Sequence, residues 1–211
     1  MQSFYGHRPE TPSGRKIERV IDAAKRLFLD HGFSATSMDA VAKRAAVSKA
    51  TLYAYFPSKK NLFASLIETE CQTMMQELPV LGLDKGLETA LRSFARQYVG
   101  MFLDRRHLTV CRILVNESSQ FPELCRLFYE SGPNATIRRL AGMLEEAKAQ
   151  ALLDFDDSIL AATQFLSLIR GEIPLRTVLC MNDIDETSID ADIESGLKLF
   201  LKVHQPTSSR A

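Results

Sequence analysis

The sequence predicts an all-α protein of about nine helices, and three observations carry that expectation. Apolar residues recur at helical spacing in one segment after another. No alternating Val/Ile/Thr run marks a strand in the first sixty residues. Ser, Thr, Asp, Gly and Pro fall between the periodic segments, where helices start and stop. At 211 residues, 45% hydrophobic and 25% charged, the chain has the balance of a globular protein of one large or two small domains.

The elements follow in order. Residues 1–14 carry Gly6, Pro9, Pro12 and Gly14 with no apolar period, and read as a flexible arm. From Arg15 the stripe Ile17, Val20, Ile21, Ala24, Leu27, Phe28 defines the first helix, closed at His31-Gly32, where a glycine suits the left-handed C′ position. Thr36-Ser37-Met38-Asp39 reads as a capping box, with Thr36 as N-cap and the Asp39 carboxylate reaching back. The stripe Met38, Val41, Ala42, Ala45 gives a two-turn helix. Ala46-Val47 breaks it, and Ser48 caps a third helix from Lys49 to about Tyr55. Pro57-Ser58 closes that helix and caps a fourth, with Leu62, Phe63, Leu66, Ile67 and Cys71 on its apolar face.

After the break at 79–82, Leu87, Leu91, Phe94, Tyr98 and Phe102 form one stripe. Residues 108–115 are apolar enough to predict a buried helix. A short helix runs from Pro122 to Tyr129, and Gly132-Pro133 ends it. Ile137, Leu140, Leu144, Ala147 and Ala151 make the next. Two long helices close the chain, 158–180 with a kink at Pro174, and 189–204. Residues 205–211 read as a flexible tail.

The net charge of zero hides a split, +6 over residues 1–62 against −6 over 63–211. A basic segment of this kind suits a polyanionic partner. Two short helices joined by a tight turn, the second capped by Ser48, describe a helix-turn-helix. The major groove admits one α-helix, and a recognition helix needs small or polar residues at its tip to approach base edges. Ser48, Lys49, Ala50 and Thr51 supply them. Tyr53 and Tyr55 can extend hydroxyls to phosphates, at i and i+2 no more than one of them can be core, and Leu52 and Phe56 would anchor the helix inward. The start of the fourth helix offers free N–H groups, with Lys59 and Lys60 beside it.

The stretch Phe33–Phe63, above all Val47–Phe63, resembles the DNA-binding domain of the TetR family of one-component transcriptional regulators. The resemblance covers roughly residues 15–63. It implies DNA contact through Thr36, Ser37, Ser48, Lys49, Ala50 and Thr51, and phosphate contact through Tyr53, Tyr55 and Lys59. Two positions depart from the family's usual glycine. Ala46, in a turn that needs φ > 0, costs about 1 kcal/mol. Ala50 adds a methyl where the backbone approaches DNA most closely, which bears on operator preference.

Farther along, Glu117-x-x-x-Phe121-Pro-Glu-Leu-x-x-x-Phe128-Tyr-Glu-x-Gly-Pro133 resembles the C-terminal domain of the family's AefR-like branch. That implies a ligand-binding and dimerisation domain over 64–204. The homodimer would form through the helices near 158–180 and 189–204, with a small-molecule pocket before them. The candidates for that pocket are Phe94, Tyr98, Met101, Phe102, Cys111, Asn116, Phe128, Gln164 and Phe165. The spacing of the apolar ones is equally that of ordinary core, whereas Asn116 and Gln164 are amides in apolar helices, which need a partner if buried. Apolar lining suggests an apolar or aromatic effector.

The expected function is a cytoplasmic, nucleoid-associated repressor, released from a palindromic operator by its effector. An activator, or a redox sensor using Cys111 and Cys125, is the alternative, and a helical adaptor that does not bind DNA is a further one. Cys71, Cys111, Cys125 and Cys180 show no CxxC pair, and His7, His31, His107 and His204 no ligand spacing, so neither metal nor cofactor is expected. No GxSxG elbow, P-loop, GxGxxG or HExxH motif points to an enzyme. No apolar run approaches the ~20 residues of a membrane span, and no h-region follows the early basic residues, so no secretory signal is expected.

Overall fold

The computed structural model describes residues 12–80, 82–179, 181 and 186–206. The expectations for residues 1–11 of the arm, for Cys180 and for 207–211 of the tail lie outside the described residues, as does the side chain of His107. The described elements are helical: α1 (Pro12–His31), α2 (Met38–Ala45), α3 (Lys49–Tyr55), α4 (Lys59–Glu77), α5 (Leu87–Gly100), α6 (Arg105–Glu117), α7 (Pro122–Ser131), α8 (Pro133–Ala149), α9 (Ser158–Arg170), α10 (Ile173–Val178) and α11 (Glu186–Val203), with a 3-10 turn at Leu83–Lys85. They pack as two compact units. One holds the chain to Gln72 together with Thr109–Tyr129, the other Thr73–Leu108 and the chain from Glu130.

In the first unit the stripe on α1 does what its period predicts, burying Val20, Ala24 and Phe28 completely or nearly so. They meet Val41 of α2, Leu52 of α3, and Leu62, Phe63, Leu66 and Ile67 of α4. Phe33, in the α1–α2 loop, is the hub of an aromatic cluster. Its ring centroid lies 5.2 Å from Phe28, 5.0 Å from Phe63 and 5.0 Å from Phe121. Each such side chain taken out of water contributes roughly 1.5–3 kcal/mol. Val110, Ile113 and Leu114 of α6 and Leu124 of α7 complete this core, so the unit includes residues far beyond position 63. Val115 is half exposed, and α6 is amphipathic rather than buried all round.

Two local details differ from the sequence-based expectation. Helix α1 begins at Pro12 rather than Arg15, since a proline lacks only an N–H that the first turn would leave unpaired. The N-cap of α2 is Ser37, whose Oγ accepts from the Ala40 N–H at 3.1 Å. Thr36, one residue earlier, instead donates its hydroxyl to the carbonyls of Leu27 and Gly32. The turn after α2 is as expected: Ala46 adopts φ 52°, ψ 49°, the left-handed conformation a glycine would enter more cheaply.

The second unit is built on α5, α8, α9 and α11. Leu91 and Phe94, Leu140 and Leu144, Phe165 and Ile169, and Ile193, Leu197 and Phe200 share one core. Gly196 lets α11 lie against α9; a Cβ there would sit 2.8 Å from the Leu168 carbonyl oxygen. The helix expected over 158–180 is two. Gly171, at φ 46°, ends α9, and Pro174 falls in the first turn of α10, where it starts a helix instead of kinking one. Phe102 lies in the turn after α5, not on the helix itself. Helix α11 begins at Glu186, three residues ahead of Ile189.

Candidate nucleic-acid interface

Helix α3 is seven residues long, too short to hold itself together in water. Its caps and anchors do so. The Ser48 Oγ accepts from the Thr51 N–H at 3.1 Å and lies 2.8 Å from the Thr51 hydroxyl. Leu52 and Phe56, on the inward face, are buried in the first unit's core. That anchoring turns Lys49, Ala50 and Tyr53 to solvent, with Ser48 exposed beside them and Thr51 half-buried. Tyr53 is 47% exposed, whereas Tyr55 is half-buried and packs against the core. The tip of α3 is thus a set of small polar groups around one cation, the composition that can approach base edges.

The turn before α3 is held from α1. The Arg19 guanidinium donates to the carbonyls of Ala45 at 2.5 Å and Ala46 at 3.0 Å. These are orphan acceptors at the end of α2, where a cation also meets the negative end of the helix dipole. Across the tip, the Lys49 Nζ pairs with Asp39 of α2 at 2.5 Å. Asp39 does not reach back to a cap; Ser37 does that alone.

Two residues expected at the DNA have other tasks. Thr36 is buried, with its hydroxyl committed to two backbone carbonyls. Lys59 donates all three ammonium hydrogens to the α1–α2 loop, at 2.7 Å to Phe33 O and 2.9 Å to both Ser34 O and Thr36 O. It also lies over the Phe33 ring at 4.6 Å. Partial burial pulls its pKa below the usual lysine value, opposed by the nearby Glu117 carboxylate. Glu117 itself accepts from the Ser34 N–H and hydroxyl, at 3.2 and 2.8 Å. Lys60 is exposed and pairs with Glu123 at 2.5 Å.

The structure brings five of the nine pocket candidates together. Phe94, Tyr98, Met101 and Phe165 belong to the second unit's core, with Phe102 packed against it. The rings of Phe94 and Tyr98 stack at 6.3 Å, and Phe102 meets Tyr98 edge-on at 5.3 Å. The Arg170 guanidinium lies close enough to the Tyr98 hydroxyl to act on its ionisation, a polar group beside an aromatic cluster. Burial still raises the Tyr98 pKa, with Arg170 opposing. Cys111, Asn116 and Phe128 fall in the first unit instead. Asn116 and Gln164 are exposed, so neither amide needs a buried partner. Burial also raises the Cys111 thiol pKa, with Arg112 opposing, and Cys71 is pushed up to about 12. Both thiols are therefore poor sources of thiolate at neutral pH.

Comparison with known proteins matches two families along the chain. Residues 20–66 match the family described as bacterial regulatory proteins, tetR family. Residues 89–206 match the AefR-like transcriptional repressor C-terminal domain. The solved structure of the flavonoid-responsive regulator FrrA is 60% identical, covers 92% of this chain and all of its own, and superposes with a TM-score of 0.84. A putative TetR-family regulator from Mesorhizobium loti shares the fold at 23% identity, over 93% of this chain and all of its own, with a TM-score of 0.79. The curated regulator YhgD of Bacillus subtilis is 36% identical over 72 residues, 34% of this chain and 35% of YhgD. Against that relative the shared stretch thus spans about a third of its length. Among the described residues no helix is long and apolar enough to cross a membrane.

Proposed function

The chain belongs to the TetR family of bacterial transcriptional regulators, and on that premise we propose that it binds a palindromic operator as a homodimer and represses from it until an aromatic small molecule releases it. The observation that carries the reading is the tip of α3, where Ser48, Ala50 and Thr51 flank the Lys49 cation on a helix anchored from behind by Leu52 and Phe56. Ser37, exposed at the start of α2, and the Tyr53 and Tyr55 hydroxyls are the flanking contacts to phosphate. Two recognition helices related by a two-fold axis read two half-sites one helical turn apart, which makes the operator palindromic.

The dimer forms through α9, α10 and α11. Ile159, Leu160 and Leu168, then Leu175 and Leu179, then Leu199 and Val203 are all between 39% and 73% exposed, large apolar side chains that a monomer would leave in water. The effector is aromatic and of the flavonoid class. Support comes from the 60% identity to a regulator named for its response to flavonoids. The Phe94, Tyr98 and Phe102 rings, with the Tyr98 hydroxyl among them, have the matching chemistry. Helix α4 supplies residues to both units and is the lever between them. An effector that binds one conformation more tightly shifts the population toward it, so effector and DNA weaken each other by the same factor. Such a protein works in the cytoplasm, at the nucleoid.

The test uses the full chain on a duplex that it has selected from a random library. Replacing Lys49 by Ala should lower affinity for that duplex at least ten-fold, and a panel of flavonoids should contain one that releases the wild-type complex. Unchanged affinity in Lys49→Ala would remove α3 from the interface. Release by non-aromatic metabolites alone would overturn the effector class.

A further inference from the structure

We propose that Asp39 sets the operator preference: it is a positioning residue that holds the Lys49 ammonium away from phosphates and aims it at a guanine edge. The inference rests on the reading of α3 as the helix that enters the major groove. It starts from the ion pair that joins the two arms of the helix-turn-helix, Lys49 Nζ to Asp39 Oδ2 at 2.5 Å, with both side chains about 60% exposed. Asp39 is free to make it because Ser37 alone caps α2.

Stability does not account for the pair, since an exposed ion pair contributes about 0–1 kcal/mol. Affinity does not account for it either. A carboxylate at the tip of a DNA-binding element repels every phosphate it faces, whatever the sequence. What the pair does supply is direction. A lone lysine is a point charge on a flexible four-carbon stem, and phosphates capture it as readily as bases do. Tethered to Asp39 by one hydrogen, the ammonium keeps two donors, the number that guanine O6 and N7 accept. Ala50 and Thr51, the next two residues, are short enough to leave that approach open. Asp39 thereby trades general affinity for discrimination at one base pair in each half-site.

The experiment selects duplexes from one random library with five full-length proteins: wild type, Asp39→Asn, Asp39→Glu, Lys49→Ala, and the Asp39→Asn/Lys49→Ala double variant. Affinities are then measured for the selected and a scrambled duplex at several salt concentrations. Wild type should fix a guanine in each half-site. Asp39→Asn should cut the selected-to-scrambled ratio about ten-fold at that position. It should also bind scrambled DNA more tightly, with a salt slope steeper by about one phosphate. Asp39→Glu should recover part of the ratio. In the Lys49→Ala background, Asp39→Asn should leave the base preference as it finds it. An unchanged melting temperature separates these effects from misfolding. If wild type selects a site and Asp39→Asn selects the same one with the same ratio, the inference is wrong and the recognition helix stands. The inference fails in the same way if Asp39→Asn lowers the ratio equally without Lys49. If wild type selects nothing, the recognition helix falls and takes the inference with it.

Discussion

Replacing Lys59 by Met separates two tasks that a lysine at the start of α4 could have. In the structure its ammonium closes the α1–α2 loop by donating to Phe33 O, Ser34 O and Thr36 O. The bond to Ser34 O is exposed, and water replaces it at little cost. The other two are half-buried. A hydrogen bond from a charged donor contributes about 1.5–3 kcal/mol net, and the low end applies where water still reaches the carbonyl. The cation over the Phe33 ring adds about 0.5–1 kcal/mol. Against this stands the desolvation that lowers the lysine's own pKa, which Met does not suffer. Methionine keeps the packing of the stem. The net loss is about 2–3 kcal/mol, or roughly 5–10 °C in melting temperature for a chain of this size.

Chemical denaturation followed by far-ultraviolet circular dichroism measures the first quantity, and amide exchange at residues 33–37 locates it. Salt dependence of DNA binding measures the second task. A loop clamp leaves the slope unchanged even if affinity drops, because no phosphate contact is lost. The reasoning is refuted if Lys59→Met is as stable as wild type within about 0.5 kcal/mol and its slope falls by about one phosphate. Lys59 would then be the phosphate ligand that its position in the sequence suggests.

Other consequences follow from the packing of the second unit. Gly196→Ala drives a methyl into the Leu168 carbonyl and should destabilise by about 1–3 kcal/mol. Gly142→Ala, on α8 with nothing within 4 Å of the new atom, should stabilise by about 0.5–1 kcal/mol; equal melting temperatures for the two would contradict the α9–α11 geometry. Arg92 holds both oxygens of Glu194, at 2.6 and 3.0 Å, and these bonds keep that carboxyl below its usual pKa. A depressed carboxylate contributes stability above its unfolded value near 4.3, and that contribution fades as pH falls through the folded value. Glu194→Gln should therefore melt below wild type at pH 7 and draw level with it in acid. A gap that persists at pH 2–3 would point to packing instead of charge.

The parts of the fold that could be read from the sequence are those fixed by near neighbours along the chain. The α1 stripe, the Ser48 cap and the inward pair Leu52/Phe56 each follow from spacings of four residues or fewer, whereas the left-handed Ala46 is expected only from the family resemblance. Where two adjacent residues could serve, local spacing does not decide. Thr36 and Ser37 both carry a hydroxyl, and Ser37 caps because the Thr36 hydroxyl is drawn back to carbonyls four and nine residues upstream. Lys59 could not be read at all from spacing, since its three acceptors lie 23 to 26 residues away. The same limit hid the membership of α6 and α7 in the first unit. Their apolar stripes say that something covers them, and only packing names Phe33 and its neighbours. Asn116 and Gln164 show the converse, because an amide among apolar residues can simply be the solvent side of its helix.

The most direct test of the central claim is a hydroxyl-radical footprint of the full chain on its selected duplex. Two α3 helices in successive major grooves predict two protected patches related by a two-fold axis, with centres one turn, about 10–10.5 base pairs, or a whole multiple of it apart. Protection should be lost from both at once in Lys49→Ala. A single patch, or an unbroken stretch of protection with no two-fold relation, would contradict the account.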